Sequence, residues 1–157
     1  MSSTPAPNLS SYFHRRIFFP ATGRRRLAVT EGMEFVRHAL AEWHLGLAEI
    51  GGDHERADDA MLVATELLDN AEQHGGGARE LRLDLDPVGR RLRITVADAA
   101  PHHLPQPVLP HRPEQPRGHG LHILTRLSTW GSTQHHGGKA VWAEVPVRIP
   151  RYGRIDR

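Results

Sequence analysis

Glu66, Asn70 and His74 recur at i, i+4 and i+8. On a helix turning roughly 100° per residue they share an arc of about 80°. Ala60, Val63, Ala64, Leu67, Leu68 and Ala71 form an apolar stripe beside them, so the three polar groups sit at its border. There they are held by packing and can still reach a ligand. The residue types suit phosphate chemistry. An Asn carbonyl is a hard oxygen ligand for Mg²⁺, which keeps several waters and takes further oxygens from phosphates. A carboxylate one turn earlier can take a proton from an attacking water or hydroxyl. Taken singly, such residues are ordinary boundary polars of an amphipathic helix, so their weight comes from the rest of the chain.

Asp98 ends an apolar strand carrying Ile94 and Val96. Its carboxylate can accept from an exocyclic amine such as adenine N6, although strands also end at Asp for no functional reason. Gly118-His119-Gly120 precedes a helix that starts at Leu121. Glycines let backbone N–H groups approach phosphate oxygens, and the helix N-terminus favours negative charge. Arg117 either contacts a terminal phosphate or is solvated. Ala99 to Arg117 holds six prolines and three histidines without periodicity. Inside a compact domain such a segment is functional or disordered, and it is read here as a lid over a nucleotide. Lys139 is the single lysine beside nineteen arginines. It serves either as a compact ammonium near phosphates or as an exposed hairpin residue. His102-His103, His111 and His135-His136 lack a recurring metal-ligand spacing and are read as surface and loop residues.

The elements that must hold these groups follow from periodicity. Tyr12–Phe19 reads as a first strand ended by Pro20, and Thr30–Trp43 as a helix capped by Thr30 and ended at His44-Leu45-Gly46. Asp53 or Asp58 opens the second helix, which Gly75-Gly76-Gly77 stops. Strands are expected at 80–86 and 91–98 around a Pro87-Val88-Gly89 turn, then a helix at 121–129. Two closing strands, near 132–136 and 139–147, meet at Gly137-Gly138. Trp43, Trp130 and Trp142 are read as core or boundary aromatics.

A chain of 157 residues with 38% hydrophobic and 24% charged residues suits one globular domain. No apolar run is long enough to span a membrane, and Met1–Ser11 lacks the order of a secretory signal, so a cytoplasmic location is expected. The absence of cysteine excludes disulfides, thiol catalysis and thiolate metal sites. Net charge is only +2. The clusters at Arg24-Arg25-Arg26 and Arg148, Arg151, Arg154 and Arg157 come without aromatic stacking residues. They are read as solvated or protein-docking surface in preference to a nucleic-acid interface.

Taken in order, Glu66-Leu67-Leu68-Asp69-Asn70-Ala71 with His74-Gly75, Val96-Ala97-Asp98, Arg117-Gly118-His119-Gly120-Leu121, Trp130-Gly131 and Gly138-Lys139-Ala140-Val141-Trp142-Ala143-Glu144 resemble the GHKL (Bergerat-fold) ATPase superfamily. The likeness is nearest to the anti-sigma-factor serine kinases of the RsbW and SpoIIAB type, and it covers roughly residues 12–147. It implies an α+β, two-layer sandwich with a mixed, mainly antiparallel sheet covered by helices on one face. It further implies ATP and Mg²⁺ as cofactors, Asn70 as Mg²⁺ ligand, Glu66 as general base and Asp98 as adenine reader. Gly118 and Gly120 would border the phosphates, His74 would position phosphates or the helix end, and Arg117, His119, Leu121 and Lys139 complete the expected nucleotide-binding set. The implied partners are a STAS-domain anti-anti-sigma protein, a sigma factor and a second copy in a homodimer, with no membrane partner. Residues 1–11 are then a disordered tail, 12–147 the ATP-binding domain with its lid at 99–117, and 148–157 a basic tail. Asp98 is followed by Ala99-Ala100-Pro101, where the wider superfamily has Asp-x-Gly-x-Gly. No phospho-acceptor helix or sensor segment is read, which speaks against a complete histidine kinase. The alternatives are a non-catalytic nucleotide- or partner-binding module and a nucleic-acid-binding regulator.

Overall fold

The computed structural model describes residues 13–20, 25–45, 54–99, 119–135 and 137–147. The expected N-terminal tail, nearly all of the lid at 99–117, Gly118 and the basic C-terminal tail lie outside the described residues. Five strands and three helices follow in the order β1 (Phe13–Phe18), α1 (Arg25–Glu42), α2 (His54–His74), β2 (Ala78–Asp86), β3 (Arg91–Asp98), α3 (His119–Leu127), β4 (Thr129–His135) and β5 (Gly138–Pro146). The strands form one sheet in the order β1-β2-β3-β5-β4. All four ladders are antiparallel. The α+β, helix-on-sheet class matches the expectation, and the parallel component of a mixed sheet is not found among the described residues.

Strict alternation decides which face of the sheet is buried. Leu81, Leu83 and Leu85 lie opposite Val96, Ile94 and Leu92, which in turn lie opposite Val141, Ala143 and Val145. All nine are buried, so they form one apolar face. Val63, Ala64, Leu67, Leu68 and Ala71 of α2 pack into the same core. The other face is charged. Arg93 bonds Glu144 at 2.6 Å and lies over the Trp142 ring at 4.4 Å, while Asp84 pairs with His14 and Arg82.

Helix placement follows from packing. α1 lies over β1 and β2, α3 against β4, and α2 between them over β3 and β5. One edge of α2 faces α1, where the Thr65 hydroxyl sits 3.1 Å from Met33 Sδ. Glu66 and Asn70 lie on the opposite edge at about 100° per residue, toward α3.

Several boundaries differ from the sequence reading, most clearly at α1 and α3. α1 begins at Arg25, so Thr30 lies inside the helix and does not cap it. Ahead of Thr30, Ala28 and Val29 pack partly against the core while Leu27 stays half exposed. α3 begins at His119 and ends at Leu127, which moves Thr129 into β4. The ends of α1 and α2 come where expected. His44 takes a left-handed φ of 56° while Leu45 N–H returns to the Leu40 carbonyl at 2.8 Å. At the end of α2, Gly76 and Gly77 have φ of 72° and 107°, and Gly77 N–H bonds the Ala71 carbonyl at 2.9 Å. Only glycine adopts such a pair without strain. The buried Glu72 carboxylate accepts the Ala78 N–H at 2.9 Å and ties the turn to β2.

At Gly138 the start of β5 passes so close to the end of β3 that a Cβ would sit 1.8 Å from the Asp98 carbonyl oxygen. Backbone cannot yield there as a flexible side chain would. Gly138→Ala is expected to destabilise the fold by about 1–3 kcal/mol, read as a lower urea midpoint. An unchanged midpoint would contradict this close approach.

Candidate nucleotide site

The site grows from the α3-facing edge of α2. Asn70 is half-buried, and its Nδ2 is buried with no hydrogen-bond partner among the described residues. An unpaired buried amide costs about 1–3 kcal/mol, so few are kept without a reason. Glu66 is half-buried one turn earlier on the same edge. His74, at the end of the helix, is exposed. Asp69, beside Asn70, has its carboxyl pushed above the usual carboxylate range by burial. The donor set fits a polyphosphate with its cation on one observation, the buried Asn70 amide that lacks a protein partner. Its N–H can donate to a phosphate oxygen or a metal-bound water, while its carbonyl is the atom suited to Mg²⁺.

Asp98 lies against the end of α2, beside Gly75. Both Asp98 and Lys139 fall on the helix-facing side of the sheet, because they continue the alternations of Ile94-Val96 and Val141-Ala143. They are directly cross-strand. Lys139 Nζ is 3.0 Å from Asp98 Oδ2, with side-chain exposures of 4% and 1%. The exposed-hairpin reading of Lys139 is therefore corrected: its side chain points inward with the core residues of β5. A Cβ at Gly75 would come within 2.3 Å of Asp98 Oδ2, so the last turn of α2 presses on the carboxylate. Asp98 and Lys139 are thus brought together beside Gly75, and the Asp98 carboxylate holds an ammonium.

α3 begins at His119, so Gly118-His119-Gly120 straddles a helix N-terminus as the sequence predicts. The backbone of His119, Gly120 and Leu121 forms its first turn, while the side chains of these residues lie outside the description, as do Arg117 and Gly118. Among the described residues no cluster of three His, Asp or Glu side chains is placed to hold a metal. A separate cavity of about 130 Å³ opens on the α1 side of α2, lined by residues including Phe19, Glu31, Glu72 and Arg79. None of Glu66, Asn70 or Asp98 lines it.

Sequence reasoning missed the Asp98–Lys139 pair and its glycine neighbours. The signal was present: Lys139, Val141, Ala143 and Val145 alternate, which assigns the lysine to the buried face. Among the described residues no helix is long and apolar enough to cross a membrane.

Two outcomes follow for stability. Asn70→Leu removes an unpaired buried amide and is expected to stabilise the ligand-free chain by about 1 kcal/mol. That corresponds to roughly 2–4 °C in Tm; a fall of several degrees would mean the amide is already satisfied. Asp69 has a raised folded-state pKa, so its contribution to stability is fully present below the unfolded value and is lost as pH rises through the folded one. Asp69→Asn should therefore raise Tm at neutral pH, with the advantage shrinking on acidification through the carboxylate range. An advantage that grows on acidification would reverse the sign.

No curated protein matches the chain. Among solved structures it is similar to the histidine kinase domain of the Erythrobacter litoralis EL346 blue-light activated histidine kinase, at 23% identity and TM-score 0.43, covering 59% of this chain and 48% of that one. It is also similar to the Erythrobacter litoralis EL346 blue-light activated histidine kinase, at 22% identity and TM-score 0.46, covering 74% of this chain and 41% of that one. The chain thus spans less than half the length of either kinase chain. The histidine kinase-like ATPase domain matches residues 23–144, most of the sequence, and the chain belongs to that family of ATP-binding domains.

Proposed function

We propose that the chain is an ATP-dependent serine/threonine protein kinase of the RsbW and SpoIIAB type, an anti-sigma factor that phosphorylates a STAS-domain anti-anti-sigma partner in the cytoplasm. The observation that carries the reading is the buried Asn70 amide, without a partner among the described residues and one turn from the half-buried Glu66 on an edge facing α3. Asn70 would hold Mg²⁺ together with the polyphosphate. The cation, when bound, neutralises charge on the phosphates. Glu66 accepts the proton of the attacking serine hydroxyl, whose oxygen then forms the new bond to the γ-phosphorus as the bond to the β,γ-bridging oxygen breaks. The glycine-flanked start of α3 offers backbone N–H groups to phosphate oxygens. Sigma-factor binding and a homodimer belong to the same proposal.

A second reading is a module that binds nucleotide or partner without phosphoryl transfer. The ion pair that occupies Asp98, together with Ala99-Ala100-Pro101 after it, favours this reading. The two readings separate in one assay. Transfer of labelled γ-phosphate from ATP to the cognate STAS protein is expected, and Glu66→Gln should lower the rate by about 10²–10⁴-fold. ATP binding with no transfer to any encoded STAS protein would reject the kinase and leave the module.

A further inference from the structure

The cavity on the α1 side of α2 is lined by charges that do not meet. Its volume is about 130 Å³, and Glu31, Glu72 and Arg79 all line it. Glu72 is 8% exposed, and its Oε1 accepts the Ala78 N–H at 2.9 Å. A Cβ on Gly77 would stand 3.9 Å from the same oxygen, so the carboxylate head sits where Gly77 and Ala78 line the cavity. The other oxygen has no partner among the described residues. Arg79 lies opposite Phe19, whose N–H donates to the Arg79 carbonyl at 2.9 Å. Phe19 is buried in the core, so the Arg79 side chain leaves the sheet on the same, helix-facing side. Its guanidinium makes no hydrogen bond or ion pair among the described residues, although two carboxylates line the same cavity.

Opposite charges kept apart in a recess each lack the contact that offsets their desolvation. We propose that the cavity binds a small zwitterionic α-amino acid, with its ammonium on the free Glu72 oxygen and its carboxylate on the Arg79 guanidinium. An ammonium presents three donors to a carboxylate, and a guanidinium takes a carboxylate through two parallel N–H groups. No covalent bond is made and no proton is transferred.

Charge and size select the class of ligand. A plain anion drawn to Arg79 would also meet Glu31 and Glu72, and a plain cation drawn to Glu72 would meet Arg79, so like charges repel in either case. A ligand that carries both signs a few atoms apart compensates both. A closed apolar cavity of about 150 Å³ holds a six-membered carbon ring. About 130 Å³ therefore admits roughly six heavy atoms. That is the size of alanine, with glycine slightly smaller and serine slightly larger. The apolar wall of Phe19, Leu27 and Ala28 receives the side chain. The site is independent of the nucleotide reading, because none of Glu66, Asn70 and Asp98 lines this cavity.

The test is calorimetric titration of the full chain, without nucleotide, with glycine, L-alanine and L-serine. Saturable binding of at least one of them at millimolar concentration is expected. N-acetyl-L-alanine and L-alaninamide each lack one of the two charges and should bind at least about tenfold more weakly than L-alanine, the effect of losing a charged hydrogen bond. Glu72→Gln keeps an oxygen for the Ala78 N–H and removes the charge, and Arg79→Gln removes the guanidinium. Each should weaken amino-acid binding by a similar factor, with an unchanged circular dichroism spectrum as the check on folding. If Glu72→Gln does not fold, Arg79→Gln decides alone. Absence of binding by all three amino acids overturns the proposal, and so does undiminished affinity in Arg79→Gln. Equal affinity for either blocked analogue overturns the zwitterion, and L-tryptophan binding as tightly as L-alanine overturns the limit on size.

Discussion

Two opposite charges buried at the ends of neighbouring strands set the constraint on which the rest of this fold depends. Removing a carboxylate and an ammonium from water costs several kcal/mol each, and the loss is offset only by close, well-directed contact. Asp98 and Lys139 meet that requirement at 3.0 Å across the β3–β5 ladder. The contact demands space, which glycine supplies on two sides. Gly138 lets the strand ends approach, and Gly75 lets the last turn of α2 rest on the carboxylate. With the end of α2 fixed in this way, the positions of Asn70 and Glu66 one and two turns back follow from helix geometry.

The two edges of α2 differ in how well their polar groups are satisfied. On the α1 side the Thr65 hydroxyl bonds the Met61 carbonyl at 2.9 Å, and Glu72 accepts a backbone N–H. Toward α3 the buried Asn70 amide lacks a partner among the described residues. A buried group left without a partner weakens the empty fold, and a ligand can repay what folding leaves unmade. The conventional core of the protein, by contrast, is the apolar face of β2, β3 and β5 against α2, where each large side chain is covered.

Much of this was legible in the residues. The alternation in β2 and β3 and the stripe of α2 located those elements, since burial on one face leaves a period of 2 or 3.6 in the sequence. The glycines at 75–77 marked the helix stop because the chain there needs positive φ. The start of α1 was misread: Val29 already lies on the stripe of Met33, Val36 and Leu40, but Thr30 looked like a cap. The role of Lys139 was missed for a different reason. A lysine beside a Gly-Gly turn suggests exposure, and only the register of β5 against β3 turns it inward to Asp98. Asn70 and Glu66 could be named from spacing and family likeness, but the unpaired amide is a property of packing that no spacing reveals.

Family membership establishes an ATP-binding domain, and our proposal puts the triphosphate and its cation on the α3-facing edge of α2. The measurement that tests this most directly is calorimetric titration of the chain with ATP, in the presence of Mg²⁺ and again with the cation chelated. Saturable one-site binding that weakens markedly on chelation is the predicted result. An absence of binding, or an affinity indifferent to the cation, would contradict the placement of Asn70 at the heart of the site.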